Sequence, residues 1–263
     1  MALSGRGGLE AVGGGQAKGR GVGPPGWVRY LTTPVLLGFV LLGLYAYVST
    51  IQLDSIEQRT LNLEYITQVT IEHIRLTAAS TLIVVVLAVS LGVLLTRPFV
   101  RAMTPLVLGV VNIGQAVPSI GLLVLMAIAF GVGFWYAVIA LIAYSFLPIL
   151  RNTMVGLQQI DRSLIEAGRG MGMSKLAVLF RIELPLAVPV ILAGVRTALV
   201  INVGTATLAT FVDAGGLGDI IINGIRLGRD PVLITGSVLT AVLALTVDWV
   251  AGVVEGLLRP KGL

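Results

Sequence analysis

Charge is what this chain has least of. Asp, Glu, Lys and Arg make up 12% of its 263 residues, about half the density of an ordinary soluble domain. A surface so poor in charge cannot hold a globule of this size in water. A soluble enzyme is excluded, and so is a large catalytic domain on an anchor. Cysteine is absent, which removes disulfides and thiol chemistry. The single histidine, His73, is too few for a His-cluster metal site. No Gly-Lys pair occurs, so there is no G-x-x-x-x-G-K-[ST] loop to cradle ATP phosphates. No serine nucleophile or carboxylate pair stands in a plausible pocket. No catalytic residue, cofactor, metal or nucleic-acid partner is expected.

What is there is apolar. The chain is 56% hydrophobic with a mean hydropathy of +0.96. One helical crossing takes about 20 residues, which leaves room for five to seven. Glycine is abundant, 33 residues, and Gly-rich apolar helices pack closely. Residues 1–26 are Gly-rich and basic, and read as a disordered cytoplasmic tail. The basic start and the apolar run 31–48 also resemble an export signal. That run is long and ends in YVST rather than at a small-residue cleavage site, so a true first span is expected.

Six spans are expected, at about 28–48, 76–95, 105–130, 134–150, 186–208 and 232–256. Residues 49–75 read as a polar, slightly acidic segment, with His73 exposed at the interface. Thirteen of the Lys and Arg residues fall on the side of both termini and four on the other. By the positive-inside rule both ends lie in the cytoplasm and the lipid bilayer surrounds the rest. The expected organisation is a tail (1–26), a first helix with an extracytoplasmic segment (27–69), a multi-span core (70–256) and a short C-terminal tail (257–263).

The largest cytoplasmic loop, 151–185, reads as two short amphipathic helices around Gly168, Gly170 and Gly172. Such a pair either lies on lipid or docks on a protein. Within it stand Glu166-Ala167-Gly168, three residues, Gly172, nine residues, and Ile182-Glu183-Leu184-Pro185. This spacing resembles the EAA motif of bacterial ABC importer permeases, with Gly168 where Ala is usual. The stretches NIGQAVPSIGLL, SFLPILRNTMVGL, ELPLAVPVILAGVRTA and FVDAGGLGDIIINGI look most like the branch that imports glycine betaine, carnitine, choline and related solutes. Methionine-type permeases share the fold and part of these motifs.

The resemblance implies an all-α membrane protein with six transmembrane helices and the type I importer permease fold. It implies separate ATPase subunits docking on 160–180, with Glu166, Ala167 and Gly172 at that contact. It further implies a second permease copy or paralogue and an extracytoplasmic solute-binding protein. A gradient-driven transporter predicts inverted repeats, and none is evident.

The remaining polar residues have two readings each. Arg196 and Asp248 are costly charges inside spans. They lie at similar depth on antiparallel helices and are expected to pair, as a packing bridge or a gating element. Asn112, Gln115, Ser119, Asn202 and Thr205 either line a translocation path or hydrogen-bond between helices. Pro118 and Pro148 are expected to interrupt helices. Gly215, Gly216 and Gly218 superficially resemble a nucleotide loop, but a flexible extracytoplasmic gate or receptor contact is the better reading. Trp135 and Tyr136 fit an aromatic belt better than a cation–π site.

Overall fold

The computed structural model describes residues 26–258. The expected tail before Gly26 and the last five residues lie outside them. Eleven α-helices and no strand occur among the described residues.

Helix α1 (Gly26–Thr50) leads to α2 (Ser55–Thr60). Asp54 caps α2: its carboxylate accepts from Ile56 and Glu57 N–H, while Glu57 reaches back to the Asp54 N–H. These local bonds use donors a helix start leaves unpaired. Helix α3 (Leu63–Leu95) follows, capped by Asn62. It begins thirteen residues before the expected span, so much of the supposed polar segment is its first turns. The segment is polar in composition, but its side chains repeat at helical spacing.

Helices α4 (Thr104–Ala116) and α5 (Ser119–Phe130) divide the expected third span. They meet at 97°. Pro118 has no N–H to donate, and it holds the residue before it out of the α region; Val117 accordingly sits at ψ 131°. Each half is roughly 20 Å long, too short for a 30 Å hydrocarbon core. Helix α6 (Phe134–Gln158) runs past Arg151 and is continuous through Pro148, which was expected to interrupt it. Helices α7 (Arg162–Gly170) and α8 (Lys175–Val178) come next, then a wide π-helical turn, Leu179–Glu183. Helix α9 (Leu184–Ala206) continues it. A 3-10 turn (Thr207–Val212), α10 (Gly218–Leu227) and α11 (Asp230–Leu258) are the last of the described elements.

Five helices are long and apolar enough to cross a membrane, six crossings in all if the bent α4–α5 pair counts as one span. The core is the trio α3, α6 and α9. Small residues bring their backbones together. A Cβ on Gly92 of α3 would lie 2.7 Å from Thr153 Cγ2 of α6, and one on Gly194 of α9 would lie 2.6 Å from Asn152 Cβ. Close approach of this kind holds helices where the solvent is as apolar as the side chains. Helices α4 and α5 flank α6, α11 packs on α9, and α1 and α10 pack on α11. The first residues of α3, α6 and α11 share one end of the bundle with α2 and α10. The segment 159–183 stands at the other end.

Candidate functional site

The segment between α6 and α9 is built to stand out from the bundle. Asp161 starts α7 by accepting the Ser163 N–H at 2.8 Å, and hydrogen bonds from Ser163 hold its carboxyl below the usual carboxylate range. Gly172 reverses the chain at φ +83°, a region that L side chains rarely enter. Ser174 caps α8 through the Ala177 N–H, 3.2 Å. Glu166 and Ala167 are exposed, and Glu166 accepts from Arg162 at 3.1 Å one turn earlier. Gly168 is buried: a Cβ there would lie 2.6 Å from Ile182 Cδ1. An alanine there, the residue usual in the resembling motif, would need the Ile182 terminal methyl to move aside. Ile182 and Leu184 are half-buried, and Pro185 is exposed in the first turn of α9.

Sequence reasoning missed the tie beneath this motif. Glu183, the variable residue before Leu184, is buried. It accepts from Arg97 at 2.5 and 3.3 Å. The two-toothed bond joins the wide turn to the end of α3. An acidic residue in a basic loop, opposite the basic turn at Arg97, was the available signal.

The intramembrane residues fall into three groups. Arg196 and Asp248 meet through two hydrogen bonds: Nε donates to Oδ1, and Nη2 donates to Oδ2 at 2.6 Å. Glu255 stands 3.8 Å from Nη1, and Gly252 leaves room for the guanidinium. Asn112, Gln115 and Ser119 gather at the α4–α5 break. Asn112 accepts from Arg151 at 2.9 Å, and Gln115 donates to the Tyr144 carbonyl at 2.8 Å. Ser119 opens α5 directly after Pro118. Asn202 is apart from them and fully buried. Its amide donates to Ser80 and Thr81 of α3 at 3.2 and 3.0 Å. Within the subunit it is an interhelical bond rather than part of an open surface. Thr205, one turn on, is half-buried.

The Gly-rich stretch 209–231 differs from the flexible loop expected of it. Most of it is helical, and Gly215, Gly216, Gly218 and Gly224 are clamped while Gly228 is open. Gly216 N–H donates to Glu72 at 3.3 Å, and a Cβ on Gly218 would run into the Thr207 carbonyl. His73 is fully buried rather than exposed at the interface. Its Nδ1 accepts the Leu217 N–H at 3.3 Å, so Nε2 carries the proton and donates to the Val203 carbonyl at 3.0 Å. The ring binds two backbone groups far away in sequence, and this is why it is inside. Asp219 bonds to Thr210, yet burial and the nearby Glu72 and Asp213 push its carboxyl up. Arg229 pairs with Asp54 at 2.6 Å, tying α2 to the start of α11. Trp135 is exposed and meets Phe134 edge-on, with ring centres 5.3 Å apart.

Long apolar helices, a bent apolar helix pair and a protruding motif between two spans define a membrane permease subunit. The chain belongs to the family of binding-protein-dependent transport system inner membrane components, which matches residues 88–260. It is 43% identical over 194 residues to the choline transport system permease protein OpuBB of Bacillus subtilis (strain 168), covering 74% of this chain and 88% of that one. It is 38% identical over 221 residues to the osmoprotectant import permease protein OsmY of Salmonella typhimurium, covering 83% and 92%. Among solved structures it resembles an inward-facing conformation of the MetNI methionine ABC transporter, with a TM-score of 0.66 and 27% identity over 74% of this chain and 96% of that one.

Proposed function

We propose that this chain is the transmembrane subunit of an ATP-driven importer of osmoprotectants: glycine betaine, choline, carnitine or a similar quaternary ammonium solute. The observation that carries the substrate class is the 43% and 38% identity to permeases named for choline and osmoprotectant import. A methionine-type amino-acid substrate is the second reading. It draws on the fold match to MetNI, where identity falls to 27%.

Both termini and the 151–185 loop lie in the cytoplasm on this reading, in accord with the Lys and Arg distribution. The exposed Glu166 and Ala167 on α7, with the turn at Gly172, form the contact with an ATPase subunit. A second permease copy or paralogue completes the path, and a solute-binding protein delivers from outside. When the ATPases close, they press on α7. The Arg97–Glu183 bond passes that displacement to α3 and α9 together, since Glu183 leads into α9. The chain itself performs no chemistry.

Uptake competition tests the substrate. Cells carrying the transporter take up labelled choline or glycine betaine, and unlabelled betaine, choline and carnitine compete while methionine does not. Competition by methionine alone would overturn the quaternary-ammonium reading.

A further inference from the structure

A cavity of about 770 Å³ lies where the end of α3 and the following turn meet the end of α6 and the α7–α8 segment. Its charged lining is Arg97, Arg169, Lys175 and Glu183. Glu183 is consumed by Arg97. Arg169 and Lys175 have no carboxylate within ion-pair distance among the described residues, so the cavity holds two uncompensated cations. The rest of its wall is largely apolar, and Phe99 and Leu176 at its lip are 80% and 68% exposed.

A second feature runs into the same cavity. On α3, Leu82, Val86, Ser90 and Leu94 recur every fourth residue and are all exposed. Leu82 and Val86 are 69% and 66% exposed. The opposite face of α3, with Val84, Ala88 and Gly92, is buried in the core. The exposed stripe extends roughly 18 Å along the helix and ends in the cavity wall at Ser90 and Leu94. A cationic cup at the end of a membrane-deep apolar track matches a molecule with an anionic head and acyl chains. A soluble partner could fill the cup but would not reach along the track.

We infer that this cavity holds an anionic phospholipid of the cytoplasmic leaflet. Its phosphate sits between Arg169 and Lys175, and one chain lies along the α3 stripe. Basic pockets between spans on the cytoplasmic side take such headgroups. The inference rests on the orientation proposed above. Because Arg169 lies on α7 and Glu183 leads into α9, the lipid bridges the segment that meets the ATPase and the bundle it moves.

Native mass spectrometry of the assembled transporter, with its second permease and ATPases, reads the site. Two surface cations give a preference for phosphatidylglycerol over phosphatidylcholine of roughly thirtyfold. Arg169→Gln/Lys175→Gln removes most of that preference. Arg181→Gln, which alters an exposed cation of the same loop outside the cavity, leaves it unchanged. Ser90→Trp obstructs the track without touching the charges and weakens retention of phosphatidylglycerol. Equal retention of the two lipids overturns the inference. So does equal loss in Arg181→Gln and in the double variant, which would be general charge attraction. Displacement of phosphatidylglycerol by inorganic phosphate alone, or its loss whenever the ATPase is bound, overturns it too. Orientation is read separately: Lys175→Cys, in a chain with no other cysteine, labels only from the cytoplasmic side. Labelling from outside refutes the orientation, whereas lipid retention in detergent has no sidedness and still reads the cavity.

Discussion

The two glycine-rich segments that link spans behave in opposite ways. In the α7–α8 segment, Gly170 and Gly172 face open space, with nothing within 4 Å of a built Cβ. At the other end, Gly215 and Gly216 press on Glu72 and His73, and Gly218 on the Thr207 backbone. Both segments read alike as polar, Gly-punctuated connections. One uses glycine to turn a protruding element, and the other uses it to let two backbones touch. The first leaves its turn open, and the second packs against other parts of the subunit.

The contrast is broken most severely at Gly218. Gly218→Ala forces a methyl into the Thr207 carbonyl, and overpacking of this kind costs about 3 kcal/mol. Thermal unfolding of the purified protein in detergent should show a large drop or no folded protein. The matching change in the open segment, Gly170→Ala, should shift stability by less than about 0.5 kcal/mol. Equal losses at the two sites would erase the distinction.

The effect is intermediate at the pair inside the bundle. Arg196→Met strands Asp248 among apolar neighbours and should cost about 2 kcal/mol. Adding Asp248→Leu should recover more than half of that loss in the same unfolding assay. Retained uptake by the double variant would leave the pair a packing role. Loss of uptake in a stable double variant would make it part of gating.

The smallest effect on stability is expected at Glu166. Its bond to Arg162 joins two exposed side chains, worth about 0.3–0.5 kcal/mol. Glu166→Arg should leave unfolding almost unchanged yet abolish co-purification of the ATPase. If the ATPase stays bound, the contact is elsewhere.

The sequence made some of this legible and hid the rest for physical reasons. The six crossings were readable because lipid demands long apolar runs. The EAA-like spacing located the protruding segment, since its turn needs glycine at 172 and its helices need caps at Asp161 and Ser174. The bend at Pro118 was half legible: proline marks an interruption but carries no angle. The burial of His73 was invisible, because its partners are backbone groups of Val203 and Leu217 and leave no side-chain signature. The start of α3 was misplaced for a related reason. Its first turns mix polar and apolar residues on both sides, with Leu63, Ile71 and Ile74 exposed and His73 buried, and the packing of Val69 on Leu217, Ile220 and Val232 leaves no mark in the spacing. The Arg97–Glu183 bond lay across 86 residues, and spacing rules do not reach that far.

The two backbone bonds of His73 also set a clock on biosynthesis. Its partner Leu217 lies 144 residues later in the chain. At about 5–20 residues per second, the ribosome needs roughly 7–30 s to deliver it. Val203, the partner of Nε2, arrives first, 130 residues on, and Nδ1 waits for Leu217. The first core helix is therefore completed only by backbone made after α9, since one ring nitrogen of its buried histidine is satisfied by Leu217.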